Sequence, residues 1–364
     1  MRNSRRLRNS IARSPAAAAR QRAPSRVIHT LTANSVPTVA ASLPISVFRN
    51  REQPRDYSAF GGVLRSEIDF PELSTSDNGA EPDWTLRVER GDPPPRTVTP
   101  LGERQIREER YELFQIPDGF RLVYSHAGTF DISGDGASIV WYDHREAVPE
   151  LVRSIVLGPA ISLALELAGF LCLHGSAVVI GEAAIAFVGP KHFGKSTLAT
   201  ALATAGARLV GDDLLVVSSG RPATVRPGVS SVRLWADMAA ALPLRTVCNT
   251  LIPGVKTTVT GFAHEALAVR PARLGTIYVL SPVTNDAAGR VAWRKPLAPS
   301  EATVALAHQT KLPASLVGLR AAGSQLVAAA AVAATVPVWT LHPVRDVARL
   351  GDLVRQIIEW SCVE

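Results

Sequence analysis

A chain of 364 residues is long for one domain and ample for two, at roughly 100–200 residues per domain. Its 46% hydrophobic, 20% charged and 6% aromatic make-up is that of an ordinary globular protein, which excludes a wholly disordered or collagen-like chain. The three cysteines, Cys172, Cys248 and Cys362, are too scattered for a disulfide framework or a Cys-based zinc site, and a reducing, cytoplasmic setting is the simplest expectation. The formal charge of +7 dissolves on inspection. Ten arginines precede the first acidic residue, Glu52, so the remainder holds 29 basic residues against 32 acidic, a net −3. A nucleic-acid-binding protein would carry its basic surplus on a folded face, so no nucleic-acid partner is expected.

Residues 1–54 are rich in Arg, Ala, Ser and Pro without apolar periodicity and read as a disordered tail. Such acid-free stretches also occur in organellar transit peptides, but a flexible extension is the simpler reading, and no continuous apolar core marks a secretory signal. Residues 55–148 read as a small, mostly β domain. Its expected strands cover 57–65, 84–90, 110–115, 120–125, 129–132 and 138–142, separated by breakers such as Pro93-Pro94-Pro95 and Pro117-Asp118-Gly119. The apolar stretch 150–170 is interrupted by Arg153, Gly158, Pro159 and Glu166, which argues for a buried helix and against a membrane span. Strand and helix patterns then alternate. Strands are expected at 173–180, 183–188, 208–211, 214–218, 276–280, 290–294 and 336–341, and helices at 195–205, around 324–334 and through 345–360. Residues 149–364 therefore read as an α/β domain, with no internal repeat.

The run Gly189-Pro190-Lys191-His192-Phe193-Gly194-Lys195-Ser196 fits G-x-x-x-x-G-K-[ST], with a strand pattern at 184–188 before it and a helix pattern at 196–205 after it, and Thr197 is counted with the run as nucleotide-binding. In this context the glycines let successive N–H groups turn toward phosphate oxygens, and the helix N-terminus adds partial positive charge. Lys195 is the residue that reaches the β- and γ-phosphates, and Ser196 the hydroxyl that ligates Mg²⁺. Only five lysines stand beside 34 arginines in this chain, yet two of the five fall in this loop. A compact ammonium is not interchangeable with a guanidinium.

Asp212 and Asp213 follow a β-patterned run at 207–211, Asp213 standing 18 residues beyond Lys195. Two carboxylates at a strand's carboxyl end divide two tasks, one holding Mg²⁺ and the other taking a proton from an incoming hydroxyl. His174 opens the strand before the loop strand and, taken alone, reads as a core histidine.

At these residues the chain resembles the bacterial HPr kinase/phosphorylase family, and more closely its shorter kinase-only relatives. The resemblance is carried by Leu173-His174-Gly175-Ser176, by Gly194-Lys195-Ser196-Thr197 and by 205–213, ending Gly211-Asp212-Asp213, with 21 residues from His174 to Lys195. It covers roughly 170–217 well and extends loosely to 227–235 and to 336–346; 57–73 is similar to the N-terminal β portion of the kinase-like group. The resemblance implies a phosphate-loop, carboxykinase-like α/β kinase core and transfer from Mg²⁺-ATP to a serine hydroxyl of a protein or peptide. By position, Asp213 matches the proton acceptor, Lys195 and His174 match active-site residues, and Ser196 matches the metal-binding hydroxyl; the division of tasks between the paired carboxylates leaves Asp212 for the metal. The family's L-E-x-R-G-x-G stretch has no counterpart here. At that distance stands Trp235-Ala236-Asp237-Met238, which implies a kinase without phosphorolysis. Two other readings stay open: a nucleotide-binding regulatory module with negligible turnover, and a small-molecule or carboxykinase-like kinase. Assembly into a homo-oligomer is left open as well.

Overall fold

The computed structural model describes residues 53–363, apart from 78, 96–98, 107–108, 145–146, 243–255 and 285–288. The expected tail thus lies all but outside the described residues, which fall in one compact unit. The described residues begin with nine strands: β1 (Arg55–Ala59), β2 (Gly62–Ser66), β3 (Ser74–Thr75), β4 (Trp84–Glu89), β5 (Gly102–Ile106), β6 (Glu109–Ile116), β7 (Gly119–Tyr124), β8 (Gly128–Ser133) and β9 (Ser138–Tyr142). They form one sheet in the order β3-β1-β2-β4-β9-β8-β7-β6-β5. Alternation sets the buried face: in β9, Ile139 and Trp141 are fully buried while their neighbours are partly exposed. The single strand expected at 57–65 is instead the hairpin β1–β2. Phe60 and Gly61 both take positive φ, the backbone of a tight two-residue turn, without the Asn-Gly signal that announces one.

The apolar stretch after this sheet is helical and largely buried, but not one α-helix. It runs through α1 (Pro149–Ile155), a π-helical turn at Val156–Ala160 that contains Pro159, and α2 (Ile161–Leu167). Proline removes a backbone donor, and the widened turn accommodates the gap. Next come β10 (Leu171–Leu173), β11 (Gly175–Ile180), β12 (Ala183–Val188), α3 (Lys195–Thr204), β13 (Arg208–Asp212), β14 (Leu215–Ser218) and β15 (Thr224–Arg226). They are followed by β16 (Val232–Trp235), α4 (Ala236–Ala241), β17 (Lys256–Val259), β18 (Ala272–Leu280), β19 (Ala292–Pro296), α5 (Pro299–Ala307), α6 (Ala314–Ala333), β20 (Val338–Pro343) and α7 (Leu350–Val363).

Nine of these strands build a mixed sheet, β10-β14-β15-β18-β12-β11-β13, with β20 on β18 and β19 on β20; β16 and β17 pair separately. The strand expected at 173–180 is split at His174. β10 pairs with β14, whereas β11 lies between β12 and β13, so the chain changes neighbours at that residue. Helices α5 and α6 bury Ala302, Leu306, Ala329 and Val332 on one face of the sheet, and α3 and α7 bury Leu198, Leu202, Val354 and Ile357 on the other. A third cluster joins the first sheet to α1, α2, Leu312 and Leu316. The fold is therefore mixed α/β. Helix α6 is the one helix among the described residues long and apolar enough to cross a membrane; it breaks at Gly318, buries Gln325 and packs along α5.

Candidate active site

Strand direction brings the motif residues to one edge. β12 and β18 run parallel, as do β18 and β20. β13 is antiparallel to β11, as β12 is, so the carboxyl ends of β12 and β13 lie on the same edge with the start of β11 between them. Residues 189–194 leave β12 there, Asp212 and Asp213 leave β13, and His174 and Gly175 enter β11. Gly175 leaves no room for a side chain: a Cβ would sit 2.7 Å from the Phe187 carbonyl oxygen and 2.9 Å from Leu215 Cδ1.

The loop turns through three positive φ angles, Gly189 (140°), His192 (68°) and Gly194 (90°), and Gly194 leads directly into α3. No side chain caps that helix, so its first N–H groups face the loop. Lys195 is buried and its ammonium folds back across the loop, donating to the carbonyls of Gly189 (2.7 Å) and Pro190 (3.0 Å). Burial pushes its pKa down to about 8, against the raising influence of Asp212 and Asp213. The bulky middle of the loop also has a physical role. Phe193 packs on the α3-side core, and the His192 ring stacks on Trp235 at 5.3 Å. Lys191 is exposed, and its pKa is lowered by partial burial and by the nearby charges of Arg104, Lys311 and Lys256.

The two aspartates occupy different environments. Asp212 is buried: its Oδ1 accepts from Ser176 Oγ (2.5 Å) and Ser196 Oγ (2.8 Å), and its Oδ2 accepts from the backbone N–H of Arg233 (2.9 Å). Asp213, at a left-handed φ of 73°, keeps nearly half of its side chain exposed. His174 Nδ1 lies 3.2 Å from both Asp213 Oδ1 and the Asp213 carbonyl oxygen, two acceptors that assign the ring proton to Nδ1. Lys311 donates to Asp213 Oδ2 at 2.6 Å. Burial raises the Asp213 carboxyl, but Lys311 and His174 outweigh it and hold the group well below the usual carboxylate range.

All the residues singled out from sequence thus gather at this edge, Thr197 on the first turn of α3 among them. Asp237 stands exposed at the start of α4. Sequence reasoning missed Lys311 and Lys256 and gave Ser176 no role. Chemically, a glycine-turned loop against an uncapped helix N-terminus is an arrangement able to accept the oxygens of an anion such as phosphate. No group of three His, Cys, Asp or Glu side chains suited to a metal occurs among the described residues. Mg²⁺ does not require one, since it takes one or two protein oxygens and completes its shell with phosphate and water. The adjoining Ser196 and Asp212 oxygens fit that demand.

No protein-family model matches the chain, and no curated protein does. Among solved structures it is similar to the HPr(Ser) kinase/phosphatase from Coxiella burnetii, at 13% identity and a TM-score of 0.28, over 53% of this chain and 90% of that one. An overlap that low fixes neither fold nor activity.

Proposed function

We propose that the protein is an ATP-dependent kinase that phosphorylates a serine hydroxyl of a protein or peptide in the cytoplasm. The observation that carries this reading is the division between the two aspartates: Asp212 is buried and bonded to the loop's Ser196, while Asp213 is half-exposed on the same edge and bonded to His174 and Lys311. Residues 189–197 wrap the ATP phosphates, with Lys195 leaving its carbonyl partners for the β- and γ-oxygens. Bound against Ser196 and Asp212, Mg²⁺ supplies charge neutralisation on those oxygens. The acceptor oxygen bonds to the γ-phosphorus, the bond from that phosphorus to the β–γ bridging oxygen breaks, Asp213 takes the hydroxyl proton, and ADP leaves. His174 holds the Asp213 carboxylate in place through Nδ1. Serine as acceptor rests on the sequence resemblance around His174, Lys195 and Asp213.

The competing reading, a nucleotide-binding regulatory module, is favoured by one observation: Asp213 is already engaged by two donors. Asp213→Asn separates the two readings. It keeps size and most hydrogen bonding, so Mg²⁺-ATP binding should persist while transfer of labelled γ-phosphate to serine peptides falls by about 10²–10⁴-fold. A wild-type chain that binds Mg²⁺-ATP but phosphorylates no peptide or protein acceptor would favour the regulatory module.

A further inference from the structure

Four of the chain's five lysines meet at this site, in a protein that otherwise uses arginine. Lys191 and Lys195 come from the loop. Lys256 comes from β17, with its ammonium 5.8 Å from the centre of the Trp235 ring. Lys311 comes from the connection between α5 and α6, 98 residues beyond Asp213. That connection is strapped to β10: the His174 N–H donates to Gln309 O (2.7 Å), the Lys311 N–H donates to Cys172 O (2.8 Å), and Thr310 bridges to Leu173. Buried Gln325 anchors the next residue, donating to Leu312 O at 2.8 Å. The Lys311 stem passes Gly158 of the π-helical turn, where a Cβ would stand 3.7 Å from its Cε, and the side chain is only 12% exposed. The strap thus fixes the Lys311 backbone, while the ammonium at the end of its stem remains free to change partner.

Its target in the structure is Asp213, through Oδ2 at 2.6 Å and the backbone carbonyl at 3.3 Å. A carboxylate held in this way has a lone pair occupied that an acceptor hydroxyl needs. An ammonium has three N–H donors on a flexible stem, and a terminal phosphate offers it more negative charge than a carboxylate shared with His174. Lys311 and Asp213 both lie within electrostatic reach of Lys191 in the loop, and Asp213 within reach of Lys195.

We propose that Lys311 is a second phosphate-contacting cation, which leaves the Asp213 carboxylate for the terminal phosphate of bound ATP and thereby frees Asp213 for the acceptor hydroxyl. The inference rests on the kinase reading above and adds to it a residue that distinguishes ATP from ADP. No bond to carbon or phosphorus changes in this step; the ammonium keeps its protons and exchanges one oxyanion for another.

Calorimetry on the full chain tests it without requiring turnover, using Mg²⁺ with ADP and Mg²⁺ with the β,γ-imido analogue of ATP. Lys311→Met should weaken the analogue by about tenfold or more, the worth of one hydrogen bond to a charged group, and leave ADP unchanged. Unchanged ADP binding also reports an intact fold. Lys311→Arg should recover most of the loss. The same loss should appear when Lys311→Met is made in an Asp213→Asn background. If it vanishes there, Lys311 merely neutralises Asp213 and the inference is overturned. Equal effects on both nucleotides, or no effect on either, overturn it too. A wild-type chain that binds neither nucleotide refutes the phosphate-site reading itself, a failure distinct from the other outcomes.

Discussion

Glu166, near the end of α2, provides a test of the burial argument whose size follows from the structure. Its Oε2 accepts from Gln325 Nε2 at 3.0 Å, while its Oε1 is buried without a hydrogen-bond partner. Burial raises its pKa from 4.5 to about 8, only partly offset by the Gln325 bond. Between those two values the folded chain keeps a proton that the unfolded chain has released, so this group makes stability fall as pH rises from about 4.5 to about 8. At about 1.4 kcal/mol per pKa unit, the interval carries roughly 3–5 kcal/mol. Glu166→Gln keeps the shape and an acceptor for Gln325 but cannot ionise. Urea unfolding at pH 5 should therefore give nearly equal stabilities for variant and wild type, and at pH 8.5 the variant should be more stable by roughly that amount. Parallel stability–pH curves for the two proteins would refute the account.

Asp212→Asn should raise the Mg²⁺ concentration needed for half-maximal phosphorylation before it lowers the maximal rate, because it weakens an oxygen ligand and leaves Asp213 in place. Gly175→Ala should cost about 1–3 kcal/mol in urea unfolding, since its Cβ would press on the Phe187 carbonyl 2.7 Å away. Lys256→Gln should reduce the rise in melting temperature produced by Mg²⁺-ATP. Lys295→Gln, on the exposed part of β19 and the one lysine outside the cluster, should leave that rise unchanged.

The loop was legible in the sequence because its backbone makes a demand that glycine meets most readily, φ values of 140° and 90°. The turn at Phe60-Gly61 was not legible, since phenylalanine at a positive φ has no propensity signal and is held there by its own burial. The break at His174 was hidden for another reason. An apolar run shows that a strand is buried but not which strands flank it, and at His174 the flanking strands change. Lys311 belongs to no motif and reaches Asp213 only through the tertiary strap. Its one trace in the sequence is compositional: a lysine retained where the chain has arginine almost everywhere.

That trace has an electrostatic rationale. Lys191, Lys195, Lys256 and Lys311 lie within electrostatic reach of one another around the loop, with Arg104 beside Lys191 and Arg345 on the His192 carbonyl, so cations outnumber the two aspartates there. Like charges crowded in a half-buried site oppose folding; burial is the main cause of the lowered pKa of Lys195, and Lys256 and Lys191 add to it against the aspartates. A triphosphate with one Mg²⁺ carries about two negative charges, which offset part of that excess. Arginine would not serve as well: its charge is spread over a planar fork, whereas several cations sharing one small polyanion must each approach a different oxygen as a compact head. If the proposed kinase reading holds, a triphosphate would draw these lysines toward its oxygens, and the Asp213 carboxylate would be released only when that ligand replaces it as the partner of Lys311.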